Sequence, residues 1–290
     1  MKKITCIVSI IVFFTITVCS CHKTSSNDHS KNSEMTVTFF DVGKGDCILI
    51  EKDDTTVLID SGYAATSDEI IESLSAREIS TIDYFIITHY DKDHAGGAPY
   101  IMENFSIGTL YLPDYEGDNK CYRMLISATD TLHINTQRVS GDIAFQLADV
   151  SWQIFASSVT YSTEDGKEPN DNDMSLVVSA KYDKDSYLFA GDIEKDGIKS
   201  YLASSHGQYD ILKVPHHGNK AGNSDELISS VSPKIAVITD STEEPAENKL
   251  LALLTKADAT TYRTSEYGTI VITGNGTGEY SVSSEYSPQA

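Results

Sequence analysis

Two imidazoles and two carboxylates fall within six positions at His89-Tyr90-Asp91-Lys92-Asp93-His94, and Ala95-Gly96-Gly97 follows at once. The apolar run Tyr84-Phe85-Ile86-Ile87 precedes them, so a buried strand delivers His89, Asp91, Asp93 and His94 to a loop. Without a counter-ion the carboxylates would repel one another and lose hydration, whereas one or two divalent cations turn that repulsion into coordination. Taken alone the segment also reads as a solvated turn rich in Asp and His, a risk that every short motif carries. Two further runs weigh against that. Tyr187-Leu188-Phe189-Ala190 ends in Gly191-Asp192, and Ile211-Leu212-Lys213-Val214-Pro215 ends in His216-His217-Gly218. Apolar runs that repeatedly end in His or Asp are what a site at one edge of a sheet requires.

In chain order, Phe39 to Cys47, Leu58-Ile59-Asp60-Ser61-Gly62, Thr88 to Gly97, Asn172 to Val177, Gly191-Asp192 and Lys213 to Gly218 resemble the motifs of metallo-β-lactamase-fold hydrolases. The branch they look most like is the hydrolase domain of the DNA-uptake channel protein ComEC and its stand-alone relatives, over about residues 35 to 273. The resemblance implies an α/β fold, the αββα four-layer sandwich, with two divalent metal ions between the upper edges of two sheets. In the family's His-x-His-x-Asp-His motif the first two histidines hold one metal and the Asp-His pair the other. Here His89 keeps the first place and Asp91 replaces the second histidine, as in the ComEC-like branch. Asp93 and His94 are then expected on the second metal and Asp192 as the bridge. One of His216 and His217 completes the set, with His217 preferred.

Further roles follow from the same resemblance. Asp60 is expected to receive the second N–H of a ligand imidazole and fix its orientation. Asn172, just before Ser175-Leu176-Val177, stands where a ligand of the first metal is expected; a carboxamide is a weak ligand, so Asn172 and Ser175 are read as substrate or supporting contacts, with loop capping as the plain alternative. Asp41 and Asp46 flank glycines and divide evenly between approach to the site and turn chemistry. The histidines put zinc first, and the oxygen ligands, which shift preference toward harder ions, put manganese second. Three carboxylates balance two divalent ions and a bridging hydroxide.

The implied chemistry is hydrolysis. A water bridging two divalent ions loses a proton near neutral pH and attacks, with Asp93 orienting it and the non-ligating histidine, His216 on the preference above, stabilising or protonating the leaving oxygen. The expected substrate is a phosphodiester or phosphate ester, in nucleic acid or a small head-group ester. Hydrolysis of an amide, lactam or ester by the same fold is the alternative, and the Asp91 replacement argues against a zinc β-lactamase of the common type. A non-catalytic, metal-containing surface lipoprotein is a third reading, opposed by retention of His89, Asp93, His94 and Asp192 together.

The elements that must position these groups are legible as periodicity. Strands are expected at 35–41, 47–51 and 55–60, with Gly43-Lys44-Gly45 and Asp53-Asp54 as hairpin turns, then a helix at 67–77 whose Ile70, Ile71 and Leu74 share a face. A strand at 84–88, a helix from Ala95 to Asn104, a strand at 107–112 and a helix at 119–129 follow. Residues 134 to 156 read as strands that form or begin a second sheet. Ser157 to Asn172 is a polar loop that could border the site, and it leads into a strand from Met174 to Lys181. Strands at 187–190, 209–214 and 235–239 alternate with helices at 194–203, 225–231 and 246–256, before closing strands at 260–262, 268–273 and 279–283. Strands first and alternation later fit a layered sandwich rather than a doubly wound sheet.

Composition sets the outer limits. The chain has 290 residues, 40% hydrophobic, enough for one large core, and 43 acidic against 22 basic side chains give a net charge of −21. That balance repels nucleic acid and anionic membrane at long range, and the plainer meaning of the acidity is solubility outside the cell. No basic stripe with interleaved aromatics is visible. Lys2 and Lys3 before the apolar stretch Ile4 to Val18 read as a secretory leader, and Val18-Cys19-Ser20-Cys21 resembles a lipobox. The expected organisation is a lipoprotein signal peptide at 1–20, a polar tether at 21–34 and a hydrolase domain at 35–290, exported and anchored to a bacterial membrane by lipid on Cys21. No protein partner is inferred. Only Cys47 and Cys121 remain in the domain; Cys47 reads as a small buried thiol, and neither has the spacing of a thiolate metal site.

Overall fold

Strands buried on both faces carry continuous apolar runs, and this chain has many of them. The computed structural model describes residues 33–159, 170–204 and 207–287. The expected leader, Cys21 and most of the tether lie outside the described residues, as does most of the expected 157–172 loop. Strands β1 (Met35–Phe39), β2 (Ile48–Lys52) and β3 (Thr55–Ile59) run antiparallel in sequence. Helix α1 (Ser67–Ala76) leads to β4 (Thr81–Ile86), helix α2 (Ala98–Asn104) to β5 (Ser106–Pro113) and helix α3 (Lys120–Leu132) to β6 (Thr136–Val139), so β3 to β6 are parallel neighbours. Then β7 (Ile143–Leu147), β8 (Val150–Phe155), β9 (Val177–Tyr182) and β10 (Asp185–Phe189) form an antiparallel run. Helix α4 (Lys195–Ser204), β11 (Ile211–Lys213), helix α5 (Ser224–Val231), β12 (Ile235–Ile238), helix α6 (Asn248–Lys256) and β13 (Thr260–Arg263) extend it in parallel. Short helix α7 (Thr264–Tyr267), β14 (Ile270–Gly274) and β15 (Tyr280–Ser284) return the chain to the first sheet beside β1.

The first sheet has the order β15-β14-β1-β2-β3-β4-β5-β6 and the second β13-β12-β11-β10-β9-β8-β7. Period-2 alternation divides their side chains between layers. Val37, Phe39, Ile48, Ile50, Val57 and Ile59 meet Trp152, Ile154, Val178, Tyr187 and Phe189 between the sheets. Leu49, Leu58 and Phe85 point outward onto Ile70, Leu74, Ile101 and Leu125 of the first helical layer. On the far side Leu188, Leu212 and Ala236 pack on Ile198, Leu227, Val231, Leu250 and Leu254. The architecture is the expected αββα sandwich.

Four details depart from the sequence expectations. Strand β6 closes the first sheet rather than opening the second, because its partner is β5. Phe40 to Cys47 is no tight hairpin but a loop whose Asp46 is buried. Helix α2 begins at Ala98 rather than Ala95, since Gly96 and Gly97 are consumed in a close approach: a Cβ on Gly97 would lie 2.4 Å from the Ser61 carbonyl oxygen. Asp171–Met174 is a 3-10 turn, and strand β9 starts only at Val177.

Candidate metal centre

Parallel strands share a carboxyl edge, and ligands gather there. Asp60 follows β3, His89 follows β4, Asp192 follows β10, His216 and His217 follow β11, and Thr239 follows β12. The 89–97 loop is pinned from two sides. The Asp91 carbonyl accepts from the His94 and Ala95 amides (3.0 and 2.8 Å), the Ser61 amide donates to the His94 carbonyl (2.7 Å), and the Asp46 amide donates to that of Asp93 (3.0 Å). His216 and His217 lie consecutively in the left-handed region, at φ 50° and 51°. For non-glycine residues that costs about 1–3 kcal/mol each and persists only where surrounding contacts enforce it. The amide of His216 donates to Gly191 (3.3 Å) and that of Asn219 to His216 (2.8 Å), which hold the turn.

Hydrogen bonds fix the tautomers of three histidines. Thr88 Oγ1 donates to Asp60 Oδ2 (2.7 Å), so it accepts from His89 Nδ1 (3.1 Å). His94 Nδ1 donates directly to Asp60 Oδ2 (2.8 Å). Thr239 Oγ1 donates to Asp46 Oδ1 (2.6 Å) and accepts from His217 Nδ1 (3.1 Å). Every Nδ1 proton is thereby committed away from the cavity, and every Nε2 is turned toward it.

Those Nε2 atoms converge. His94 and His217 Nε2 are 3.2 Å apart, Asp192 Oδ2 lies 3.3 Å from the first and 3.0 Å from the second, and Asp93 Oδ2 lies 3.5 Å from His217 Nε2. Donors arranged tetrahedrally about 2.0–2.1 Å from one centre would be separated by about 3.3 Å, so the spacing suits a common ion. Next to this position, His89 Nε2 is buried with no hydrogen-bond partner and lies 3.7 Å from Asp91 Oδ2. His89, His94 and Asp192 bring ligand atoms within 4.8 Å of one another. An orphaned buried nitrogen costs about 1–3 kcal/mol, a penalty that a coordinated ion removes. The residues therefore fit divalent metal: His94, His217, Asp93 and Asp192 converge, and His89 brings a further ligand atom to His94 and Asp192.

The electrostatics agree. Burial works against charge on His94, but Asp192, Asp60 and Asp46 outweigh it and raise the imidazole well above its ordinary range; His217 is likewise raised, against burial, by Asp192 and Asp93. Burial also opposes ionisation of Asp192, yet His217, His94 and Lys213 hold its carboxyl well below the usual range. Burial would raise Asp93, but the His217 contact and His94 bring it to about 2. A field that binds protons this strongly at Nε2 binds a competing cation at the same lone pairs.

Of the residues singled out from the sequence, His89, Asp91, Asp93, His94, Asp192 and His217 lie around this cavity, with Asp60 directly behind His94. Ser175 accepts the Asp192 amide proton (3.3 Å). His216 is turned away from the ligand set, partly exposed, with Nδ1 3.1 Å from Glu194 Oε1. Asn172 is not in the cluster; its Nδ2 donates to the same Glu194 oxygen (3.0 Å), while Asn170 donates to the other (3.0 Å). Asp46, Glu194 and Lys213 carry more than the sequence reading gave them. Fully buried Lys213 donates to the Gly191 carbonyl (3.0 Å), contacts Asp192 Oδ1 (3.3 Å) and pairs with Asp46. A lone lysine inside Ile211-Leu212-Lys213-Val214 was the available signal, because a cation in a strand buried on both faces needs a carboxylate. Cys47 is buried, and both domain cysteines are free thiols.

Comparison with known proteins adds the family. The model of the metallo-β-lactamase superfamily matches residues 40–119, which hold both the Asp60 segment and the His89–His94 loop. The chain has the metallo-β-lactamase fold. ComE operon protein 3 of Bacillus subtilis is 26% identical over 262 residues, 82% of this chain and 33% of that protein. Recombination protein 2 of Haemophilus influenzae is 28% identical over 213 residues, 72% of this chain and 24% of its own. The chain thus spans about a third or less of the curated relatives it matches. Among solved structures, the metallo-β-lactamase-fold protein YhfI of Bacillus subtilis superposes with a TM-score of 0.53 at 12% identity, covering 83% of this chain and 100% of that one, which supports the fold. The superfamily is one of metal-dependent hydrolases, and the metallo-β-lactamase fold here implies divalent metal binding.

Proposed function

We propose that this domain hydrolyses phosphodiester or phosphate-ester bonds with two divalent ions, zinc or manganese. The observation that carries the reading is the cluster in which Asp192 meets His94 and His217 while orphaned His89 brings a ligand atom to the same carboxylate, because a group of ligands that could hold two neighbouring ions suits in-line displacement at phosphorus. Bound ions would polarise the phosphoryl oxygens and lower the pKa of a captured water. The chain's own residues do the rest. Asp60 and the Thr239–Asp46 pair keep Nε2 of His94 and His217 free to ligate, and Lys213 holds one oxygen of Asp192 so that the other faces the cavity. In this reading Asp93, beside His217, would orient the attacking water, and His216, which pairs with Glu194, would give the leaving oxygen its proton. The name of the relative Recombination protein 2 supports a phosphodiester substrate, whereas the acidity of this chain favours a small ester over long nucleic acid.

Protein loaded with zinc or manganese should cleave bis-p-nitrophenyl phosphate, and Asp192→Ala should abolish turnover. Cleavage of a cephalosporin chromophore with no phosphoester activity would overturn the reading in favour of lactam hydrolysis. Stoichiometric metal without turnover of any ester would favour a binding lipoprotein. The same proposal places the domain outside the cytoplasmic membrane, anchored through Cys21, on the strength of the leader and lipobox-like residues. Cys21→Ser should release it from the membrane fraction, and unchanged fractionation would sink the anchor. Among the described residues no helix is long and apolar enough to cross a membrane.

A further inference from the structure

Between His89 and Asp91 stands Tyr90, a fully buried residue whose side chain leaves the cluster and joins the packing of Ile101, Leu112 and Leu125 outside the first sheet. It is held at both ends. Its carbonyl accepts from Asn119 Nδ2 (3.0 Å), and Oδ1 of the same Asn119 caps α3 by accepting the Tyr122 amide (2.9 Å). Its hydroxyl donates to the Pro113 carbonyl (2.9 Å) and accepts from Arg138 Nη1, a direction that is forced because a guanidinium carries no acceptor. The rings of Tyr115 and Tyr122 flank it, each with its centre 4.7 Å away.

Arg138 comes from β6, the edge strand of the first sheet. Its Nη1 also donates to the Pro113 and Tyr115 carbonyls (3.0 and 2.8 Å), and its Nη2 to the Tyr122 hydroxyl (3.1 Å). In a chain with 43 acidic side chains, these hydrogen bonds go to carbonyls and phenols and not to a carboxylate. The rigid fork of one arginine thus ties the connection after β5, helix α3 and the ligand loop to a single strand. What the tie secures follows from the tethers of the other ligands. Asp60 holds His94, the Thr239–Asp46 pair holds His217, and the Asp91 carbonyl is fixed by the amides of His94 and Ala95. The His89 ring makes one hydrogen bond, from Nδ1 to Thr88 Oγ1 (3.1 Å), and its Nε2 has no partner. The main chain immediately beyond it, at Tyr90, therefore decides where that nitrogen sits.

We infer that Arg138 and Tyr90 are positioning residues for the metal centre, which hold His89 as a ligand and leave His94 and His217 to their own supports. The inference rests on the metal reading of the cluster and not on the choice of substrate. The test titrates the full-length protein, its histidine rings labelled with 15N, with zinc alone. In the unaltered protein the Nε2 resonances of His89, His94 and His217 should all move to the position of a metal-bound ring. Tyr90→Phe keeps the ring packing and loses the hydroxyl; Arg138→Met loses the fork. In both variants His94 and His217 should respond as before, while His89 should need about tenfold more zinc, the lower end of the range for groups that support a ligand. Arg138→Lys should behave like Arg138→Met, because an ammonium on a flexible stem cannot serve two carbonyls and two phenols at once. Tyr90→Phe is the milder change and decides the matter if the Arg138 variants fail to fold. A His89 resonance that zinc never moves in the unaltered protein, an equal loss at all three histidines, which is what general loosening of the fold would give, or an unchanged His89 response in Tyr90→Phe would overturn the inference. Turnover enters none of these outcomes, so a protein that cleaves no phosphoester yet shows the selective loss at His89 would sink the phosphoester reading and leave the positioning role standing.

Discussion

At the residue scale, the site depends on hydrogen-bond direction more than on the number of acids and imidazoles. Asp60 accepts from the Thr88 amide (2.8 Å), the Thr88 hydroxyl and His94 Nδ1, so one buried carboxylate orients both His89 and His94. Asp60→Asn should weaken metal affinity about 10–100-fold, the range known for partners of ligating histidines, and competition with a chromophoric chelator measures it. Lys213 is the other dependency. Lys213→Met leaves Asp46 and Asp192 facing each other in a buried site and should destabilise the metal-free domain by about 3–5 kcal/mol in chemical denaturation. A denaturation midpoint equal to that of the unaltered protein would show that the lysine contributes nothing there.

At the element scale, the ligand loop is set by where two connections touch. Gly97 sits so close beneath Ser61 that a methyl group would strike a carbonyl that cannot yield, whereas a methyl at Gly141 meets nothing within 4 Å. Gly97→Ala should therefore lower both thermal stability and metal stoichiometry, and Gly141→Ala should change neither. In the amino-acid sequence these two glycines look alike. The strands are a different matter: Leu188 and Phe189 face opposite layers, as the apolar run announces, and Phe189→Ala should cost about 3–5 kcal/mol by opening a cavity between the sheets.

At the scale of the whole molecule, folding and metal binding are linked. Four carboxylates, Asp46, Asp60, Asp93 and Asp192, are gathered around buried His94 and His217, so an ion that binds only the folded domain stabilises it. At a hundredfold excess over Kd that is about 2.7 kcal/mol, and chelation should lower Tm by about 5–10 °C. Protons compete with the ion. With His94 and His217 raised in the ion-free fold, their stabilising charge contacts are fully present below the ordinary imidazole pKa and fade as pH rises through the raised values. The ion-free domain should accordingly lose stability toward alkaline pH while metal affinity gains. Calorimetry of metal binding at pH 7 in buffers of differing ionisation enthalpy should record proton release, and a heat independent of buffer would refute the linkage.

The sequence by itself determined the layers and the ligand-bearing ends of the strands, because period-2 burial and apolar runs are local signals that burial on one or both faces imposes directly. It also placed His89, Asp91, Asp93, His94 and Asp192 at the ends of such runs. Only the tertiary structure decided which of two adjacent histidines turns inward, since that follows from the left-handed turn at His216 and His217 and from a Thr239–Asp46 pair whose members are far apart in the chain. It likewise moved Asn172 onto Glu194 and drew Asp46 and Lys213 into the centre. Those outcomes depend on which loops meet across the sheet edge, and a contact between distant segments leaves no periodicity in either of them.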